Sequence, residues 1–107
     1  MKSLHLINKR NGLHLLNLEY DQALKQHRTG NWQFTLQEAQ SLIGGKVYLH
    51  ETKAKPSTIG GTVLDVEPSL EESRVVFIFT SEIGGKSKKW SGKDHGMAWT
   101  SGIIDDQ

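Results

Sequence analysis

The chain is organised around the segment Gly45-Lys46-Val47-Tyr48-Leu49-His50-Glu51-Thr52-Lys53-Ala54-Lys55-Pro56-Ser57-Thr58-Ile59-Gly60-Gly61-Thr62-Val63. Its apolar run at 46–50 predicts a strand, and the polar residues 51–57, broken by Pro56, predict an exposed loop. A second strand is predicted at 58–66, where two glycines allow a bulge or a bend. The segment therefore predicts two strands joined by a loop that displays polar side chains at one end of a sheet.

A short helix is predicted directly before this segment. Residues Thr35-Leu36-Gln37-Glu38 match a capping box, in which Thr35 accepts a hydrogen bond from the Glu38 N–H and the Glu38 side chain reaches back to the Thr35 N–H. Gly44 supplies a left-handed C-terminal cap, so we expect a helix at about 36–43. The apolar residues of these turns lie on one helical face: Leu36, Ala39, Leu42 and Ile43.

The C-terminal half of the chain contributes the strand that we expect to be most buried. Residues 74–80 form a near-continuous β-branched and aromatic run, which predicts a central strand buried on both faces. Residues 84–96, rich in glycine, lysine and serine, are predicted to form a long mobile loop. A closing strand is predicted at 97–100, followed by a frayed tail at 105–107.

The N-terminal third predicts a hairpin. Leu4 and Leu6 alternate with a polar residue, as in a half-buried strand, and Asn11-Gly12 is a strong hairpin signal. Residues 13–20 are therefore expected to pair back onto the first strand. Residues 28–31 are predicted as a turn, and a short strand is expected at 32–34.

Together these patterns predict a mainly β fold of the α+β class. The arrangement that we expect is a small, partly closed β-barrel of five to seven strands with one short helix. The 107 residues suit a single domain that spans the whole chain.

Composition excludes several classes of site. There are no cysteines, which removes disulfides, thiolate nucleophiles and cysteine-bound zinc. The five histidines are scattered and no nucleotide-binding fingerprint occurs, so neither a metal nor a cofactor is expected. No apolar run approaches the roughly 20 residues that cross a bilayer, and the N-terminal apolar run is too short and polar for a signal peptide. We expect a cytoplasmic protein that does not bind membranes.

Residues 36–66 resemble a signature of PUA-like domains, most of all the EVE branch and its YTH and ASCH relatives. In those domains a helix leads through a glycine into an apolar strand, and a polar loop follows with a His or Ser and a Lys-Pro-like step. A strand with an aliphatic-Gly step then returns, and the same order occurs here. The resemblance implies a small PUA-like barrel that binds RNA or DNA, in the EVE and YTH cases by holding a modified base in a pocket.

The loop after the strand at 46–50 carries groups that can contact phosphate oxygens or a ligand. They are an imidazole, hydroxyls and ammonium groups, supplied by His50, Thr52, Lys53, Lys55 and Ser57. The alternative interpretation is a solvated loop without a ligand.

A second candidate group follows in the basic segment 86–99. Trp90 lies among Lys86, Lys88, Lys89 and Lys93, which suggests base stacking flanked by phosphate contacts, since stacking contributes about 1–3 kcal/mol per base. Trp90 can instead fold back to cover the end of the barrel. His95 and Trp99 are expected to line the pocket, although Trp99 also suits the core.

The preferred interpretation is therefore a nucleic-acid-binding module, with RNA or DNA as its partner, and two alternatives stay open. The resemblance to ASCH-type hydrolases of modified nucleosides implies an enzyme that uses Lys, Thr and Glu, for which Lys55, Thr58 and Glu82 are the available residues. The other alternative is a small accessory protein that binds another protein. The sequence favours binding over catalysis.

Overall fold

Seven strands form one mixed sheet in the computed structural model, which describes residues 2–8, 10–11, 14–15, 18–52, 54–71, 73–89 and 100–105. The elements in chain order are β1 Lys2–Ile7, β2 Arg10–Asn11, β3 His14–Leu15, β4 Leu18–Asp21, β5 Gln26–Trp32, α1 Leu36–Gln40, β6 Lys46–His50, β7 Ile59–Pro68, β8 Val75–Ser81, a 3₁₀ turn Ile83–Gly85 and β9 Thr100–Asp105.

The order of strands in the sheet is β4-β5-β8-β7-β6-β1-β9, and β2 and β3 form a separate two-stranded pair. Among these described pairs β1 and β6 run parallel, and the others run antiparallel. In the described part of the chain the edge strands β4 and β9 do not pair with each other, so the sheet is not fully closed. The prediction of a small, mainly β fold with one short helix is confirmed.

The helix begins as predicted and ends earlier. Thr35 Oγ1 accepts from the Glu38 N–H at 3.1 Å, and Glu38 Oε1 accepts from the Thr35 N–H at 3.1 Å, which confirms the capping box. After Gln40 the chain continues to residue 45 through tighter turns, and Gly44 adopts a φ of +87°. These turns end where the Gly44 N–H donates to the Val63 carbonyl at 2.9 Å, which ties the helix exit to β7. The predicted helix at 36–43 is thereby shortened to α1.

The N-terminal hairpin prediction is wrong in its pairing. Residues 10–11 and 14–15 do form a small antiparallel pair around the predicted turn. β1, however, pairs with β6 on one side and with β9 on the other, whereas β4 pairs with β5. Because both edges of β1 are occupied and both faces are covered, Ser3 to Leu6 are all buried, and the strand is not half-buried as predicted.

The predicted turn at 28–31 is also wrong, because these residues lie inside β5. β5 is hydrogen-bonded to β4 on one side and to β8 on the other, and this pairing overrides the local turn preference of the sequence. The register with β8 shifts between Thr29 and Trp32, which accommodates the irregular sequence as a bulge. The Trp32 Nε1–H donates to Thr29 Oγ1 at 3.0 Å across this irregularity.

The core lies between the sheet and α1. β8 is an interior strand next to the middle strand β7, and it is buried on both faces as predicted, with Phe77 and Phe79 facing one way and Ile78 the other. The core side chains around them come from β1, β5, α1, β6, β7 and the turns after α1, and include Leu4, Leu6, Trp32, Ala39, Leu42, Val47, Leu49, Val63 and Val66. No helix among the described residues is long and apolar enough to cross a bilayer.

The C-terminal predictions are only partly covered by the described residues. Gly84 and Gly85, at the start of the predicted loop, belong to the 3₁₀ turn, and 90–96 lie outside the described residues. The described closing strand is β9, which begins at Thr100 and carries Asp105 as the partner of Lys2. Residues 97–99 and 106–107 lie outside the described residues.

Candidate nucleic-acid interface

Ser57 joins the loop after β6 to the segment after the 3₁₀ turn. Its backbone N–H donates to the Lys88 carbonyl at 2.8 Å, and its carbonyl accepts from the Ser87 N–H at 2.7 Å. Its buried hydroxyl donates to the Gly85 carbonyl at 2.6 Å and accepts from the Lys88 N–H at 2.9 Å. We call these four residues the Ser57 junction. It brings together the polar loop at 51–57 and the basic segment that begins at residue 86.

Two glycines allow the segments to approach so closely. Gly60 at the start of β7 and Gly85 in the 3₁₀ turn are both buried and packed against each other. A Cβ on Gly85 would overlap the Gly60 carbonyl group. The 3₁₀ turn can therefore lie flat on β7, which places the lysines that follow it beside the 51–58 loop.

Lysines from both segments are exposed at the Ser57 junction. Lys55, Lys86, Lys88 and Lys89 all have exposed side chains. The ammonium of Lys55 lies 3.7 Å from a Glu51 carboxylate oxygen, and such an exposed ion pair holds the lysine only weakly. These lysines come from two segments that are joined at Ser57, and exposed ammonium groups attract phosphates.

The predicted ligand residue His50 is instead fully buried and pairs with a second buried histidine. His50 Nε2 lies 2.7 Å from His5 Nδ1, and His50 Nδ1 lies 2.9 Å from the Lys55 carbonyl oxygen. A carbonyl only accepts, so His50 carries its proton on Nδ1, and in the neutral pair His5 Nδ1 donates to His50 Nε2. Burial lowers the pKa of His50, which keeps the ring neutral. This geometry makes His50 a support for the 51–58 loop.

Tyr48 connects this buried pair to the exposed lysines. Its ring stacks on the His5 ring, with centroids 5.0 Å apart and planes 28° apart. On the outside, the Lys88 ammonium lies 5.8 Å from the Tyr48 ring centroid, within the range of a cation–π contact. The Tyr48 ring therefore lies between the buried His5 ring and the exposed Lys88 ammonium.

A polar cluster of Lys46, Thr62 and Glu82 lies beside Tyr48. The Lys46 ammonium donates to Glu82 Oε1 and to Thr62 Oγ1, both at 2.7 Å, and the Thr62 hydroxyl donates to Glu82 Oε1 at 2.6 Å. These bonds, first from Lys46 and then from Thr62, lower the pKa of Glu82, so its carboxylate is ionised at neutral pH. We call this group the Lys46 cluster.

The Lys46 cluster opens into a small cavity of about 100 Å³. The cavity is lined by the aliphatic stem and charged groups of the cluster, one aromatic ring and three glycines: Lys46, Tyr48, Gly61, Glu82, Gly84 and Gly85. Its volume corresponds to roughly three water molecules at about 30 Å³ each, so it can take the polar edge of a ligand. The Lys46 ammonium, a donor, and the Glu82 carboxylate, an acceptor, lie next to each other at the cavity wall.

A wider cavity of about 540 Å³ lies at the other end of the β7–β8 hairpin, against α1. Phe34, Leu36, Pro68 and Val75 line much of it, and Arg74 lies 3.9 Å from a Glu71 carboxylate oxygen. The exposed lysines of the Ser57 junction are at the opposite end of the hairpin, so size alone does not make this cavity the site.

The three residues predicted for catalysis are not brought together by their described contacts. Glu82 bonds to Lys46 and Thr62, Lys55 pairs with Glu51, and the Thr58 hydroxyl donates to the Leu49 carbonyl at 3.3 Å. Of the ligand residues, Thr52 is exposed, and its carbonyl accepts from the Lys55 N–H at 3.3 Å. Five further predicted residues lie outside the described residues: Lys53, Trp90, Lys93, His95 and Trp99.

Four side chains that shape this site are not among the residues predicted from the sequence: His5, Lys46, Tyr48 and Thr62. Lys46 and Thr62 are direct partners in the β6–β7 register, so the signal for them was the register of a predicted strand pair. Among the described residues, no group of three His, Asp or Glu side chains could hold a metal ion. No protein-family model, curated protein or solved structure matches this chain.

Proposed function

We propose that this protein is a nucleic-acid-binding module of the PUA-like type. Exposed lysines on both sides of the Ser57 junction contact the phosphates, and the cavity beside Tyr48 receives the edge of a base. The observation that carries this proposal is the Ser57 junction, because it hydrogen-bonds Ser57, two residues after Lys55, to Lys88, which lies 31 residues further along the sequence. The resemblance of residues 36–66 to PUA-like domains supports the same function.

Electrostatics supports a local phosphate-binding surface. The chain carries a net charge of only +1, so affinity must come from clustering of the cations. Each phosphate that a lysine neutralises releases a condensed counterion. The logarithm of the binding constant for duplex DNA therefore falls with the logarithm of the salt concentration, with a slope of about 0.9 per phosphate contact. Four exposed lysines at the junction are sufficient for weak binding that depends strongly on salt.

The cavity supports contact with a base edge. Ligand pockets that enclose a drug-sized molecule measure roughly 300–1,000 Å³, which is several times the volume of about 100 Å³ beside Tyr48. The Lys46 ammonium donates and the Glu82 carboxylate accepts, so together they can recognise a neighbouring carbonyl and amino group on one base edge. A small substituent on the base would enter the same space.

Salt titration tests this proposal directly. Fluorescence anisotropy of short single- and double-stranded DNA and RNA probes is measured between low and physiological salt for wild-type protein and for the double variant Lys88→Ala, Lys89→Ala. The expected result is a salt slope that is lower by roughly 2 in the double variant. Lys25→Asn removes an exposed lysine from the β4–β5 turn and is the matched control, since asparagine tolerates the positive φ of 54° there.

Two outcomes would count against this proposal, the first against nucleic-acid binding and the second against the Ser57 junction as its site. One is a wild-type protein that binds none of the four probe types at low salt. The other is a double variant whose salt slope equals that of Lys25→Asn, because the contacts then do not come from the Ser57 junction.

A second candidate function, hydrolysis of an acylated nucleoside, is favoured by the Lys46 cluster. The Thr62 hydroxyl donates towards Glu82 and accepts from Lys46, so its oxygen could attack an acyl carbon while Glu82 takes its proton. The leaving nitrogen would take that proton, and water would then cleave the Thr62 ester. The lowered pKa of Glu82 makes it a weak base at neutral pH, which ranks this function second.

Incubation with nucleosides acylated on their exocyclic amine separates the two functions. An enzyme would release the free nucleoside, and Thr62→Val would abolish turnover while Lys88→Ala would retain it. A wild-type protein that releases no free nucleoside, or a Thr62→Val variant with full turnover, removes hydrolysis at this cluster from consideration.

A further inference from the structure

We infer that Ile83 is a wedge that enters the base stack of a double-stranded nucleic acid and opens it next to the cavity. This inference rests on the proposed nucleic-acid binding. It adds that the ligand is a duplex whose strands are locally unstacked by one aliphatic side chain.

Ile83 is an aliphatic residue that is 94% exposed and begins the 3₁₀ turn. A large apolar side chain in water is costly, and a single one on a surface needs no function by itself. Its place distinguishes Ile83 from other exposed apolar residues, because its neighbours Glu82 and Gly84 both line the cavity. Ile83 itself is not a lining residue, so its side chain projects into solvent between two residues that line the proposed base-edge site.

The turn that carries Ile83 is anchored on both sides. Before it, the Glu82 N–H donates to the Gly60 carbonyl at 2.9 Å, and the Glu82 carboxylate is held by the Lys46 cluster. After it, the Gly85 carbonyl accepts from the Ser57 hydroxyl, and the Gly85 N–H donates to the Glu82 carbonyl at 3.0 Å. A wedge must keep its position while it separates two stacked bases, and this anchoring provides that stiffness.

Exposed lysines follow the wedge in the chain. Lys86, Lys88 and Lys89 follow Ile83 within six residues and are exposed. Proteins that insert apolar side chains between base steps combine such a wedge with cationic contacts to the backbone, which offset the free energy of unstacking. Enzymes and readers that act on a single base also need the base to leave the stack, and the cavity beside the wedge would then contact the edge of that base.

The same combination of an exposed aliphatic residue and lysines could bind an anionic membrane surface. The Lys46 cluster argues for a base, because its adjacent donor and acceptor match the neighbouring carbonyl and amino groups of a base edge. A membrane is therefore included as a contrary outcome of the test.

The experiment uses the full chain and a duplex that contains 2-aminopurine, whose fluorescence rises when it leaves the stack. Duplex DNA and duplex RNA probes are compared, and affinity is measured by anisotropy on the same samples. We expect the wild-type protein to raise the fluorescence. Ile83→Ala should lose most of that rise and roughly a factor of ten in duplex affinity, with single-strand affinity unchanged. Ile83→Lys should also lose the rise, although it adds a cation.

Leu70→Ala is the matched control, because Leu70 is equally exposed but lies in the acidic turn at the opposite end of the β7–β8 hairpin. Duplex binding by wild type without any fluorescence rise would overturn the wedge and leave the proposed function standing. An equal rise with Ile83→Ala would do the same. Binding to phosphatidylcholine–phosphatidylserine vesicles that requires Ile83, with no affinity for any nucleic acid, would overturn both.

Discussion

Substitution of Ser57 by alanine should loosen the candidate interface and lower the stability of the whole domain. The Ser57 hydroxyl donates to the Gly85 carbonyl and accepts from the Lys88 N–H. In the alanine variant the buried Gly85 carbonyl loses this partner, whereas the Lys88 N–H lies in an exposed residue that water can reach. The backbone bonds of Ser57 to Ser87 and Lys88 remain.

The expected loss in the free energy of unfolding is about 2 kcal/mol, mainly because an unsatisfied buried carbonyl costs about 1–3 kcal/mol. An unfolding entropy of about 2.1 cal/mol/K per residue gives roughly 225 cal/mol/K for 107 residues, so the Tm should fall by about 9 °C. If the junction opens locally, the Lys88 amide should exchange its hydrogen roughly 30-fold faster than in wild type.

Thermal unfolding and amide exchange measured by NMR test this prediction together. Ser41→Ala is the matched control, because Ser41 is an exposed serine whose hydroxyl donates to the Glu38 carbonyl at 2.6 Å. Its loss should change stability by no more than about 0.5 kcal/mol, since water replaces the hydroxyl. A Ser57→Ala protein with the Tm and the Lys88 exchange rate of wild type would refute the role of the hydroxyl in joining the two segments.

Three further predictions follow from the lysines and the titrating groups. Lys88→Ala and Lys89→Ala should each lower the salt slope of duplex DNA binding by about 0.9, measured by anisotropy. Burial lowers the pKa of His50 from its ordinary 6.5, so on acidification the unfolded chain takes up a proton before the folded protein does. The free energy of unfolding should therefore fall below pH 6.5, by at most about 1.4 kcal/mol per pH unit. Urea unfolding of His50→Gln at the same pH values should show a shallower decline. The hydrogen bond from Lys46 is the largest cause of the lowered pKa of Glu82. The Glu82 carboxylate therefore stabilises the folded state at pH values above its ordinary pKa of 4.5, and this stabilisation is lost as the pH falls through its pKa in the folded protein. Lys46→Met should therefore destabilise the protein to urea more at pH 7 than at pH 3.

Local patterns were sufficient to predict the centre of the chain. The capping box depends on two residues three positions apart, and both of its hydrogen bonds occur. The strands at 46–50, 58–66 and 74–80 were identified because their apolar runs are bounded by glycine, proline and polar turns. Each of these signals is contained in a segment of about ten residues or fewer. Such local patterns can be recognised in a single sequence without knowing which distant segments pack against them.

Long-range pairing accounts for the errors. β1 is interior because β6 and β9 flank it, and its partners Lys46 and Asp105 lie 43 and 103 residues from Ser3 and Lys2. The alternation around His5 indicated a polar outer face, but that imidazole is buried against His50. A polar side chain at a strand position predicts exposure only when no buried partner exists elsewhere in the chain.

The candidate site was predicted in its composition and not in its geometry. The exposed lysines were recognisable from the basic segment and the polar loop. The Lys46 cluster depends on the pairing of Lys46 with Thr62, and a slip of one residue between β6 and β7 would have turned Thr62 to the other face. Sequence patterns leave that register open, so this cluster became visible only with the structure.

The loop that carries Lys55 is held at two points by groups that do not face the ligand. At one point the Lys55 carbonyl accepts from buried His50, and at the other Ser57 is bound to Gly85, Ser87 and Lys88. A loop fixed in this way loses little conformational freedom on binding, so more of the phosphate attraction becomes affinity. His50 and Ser57, which the sequence suggested as ligand contacts, therefore act best as supports of the exposed lysine between them. Variants of these two residues should weaken nucleic-acid binding while leaving its salt slope unchanged, because the number of phosphate contacts stays the same.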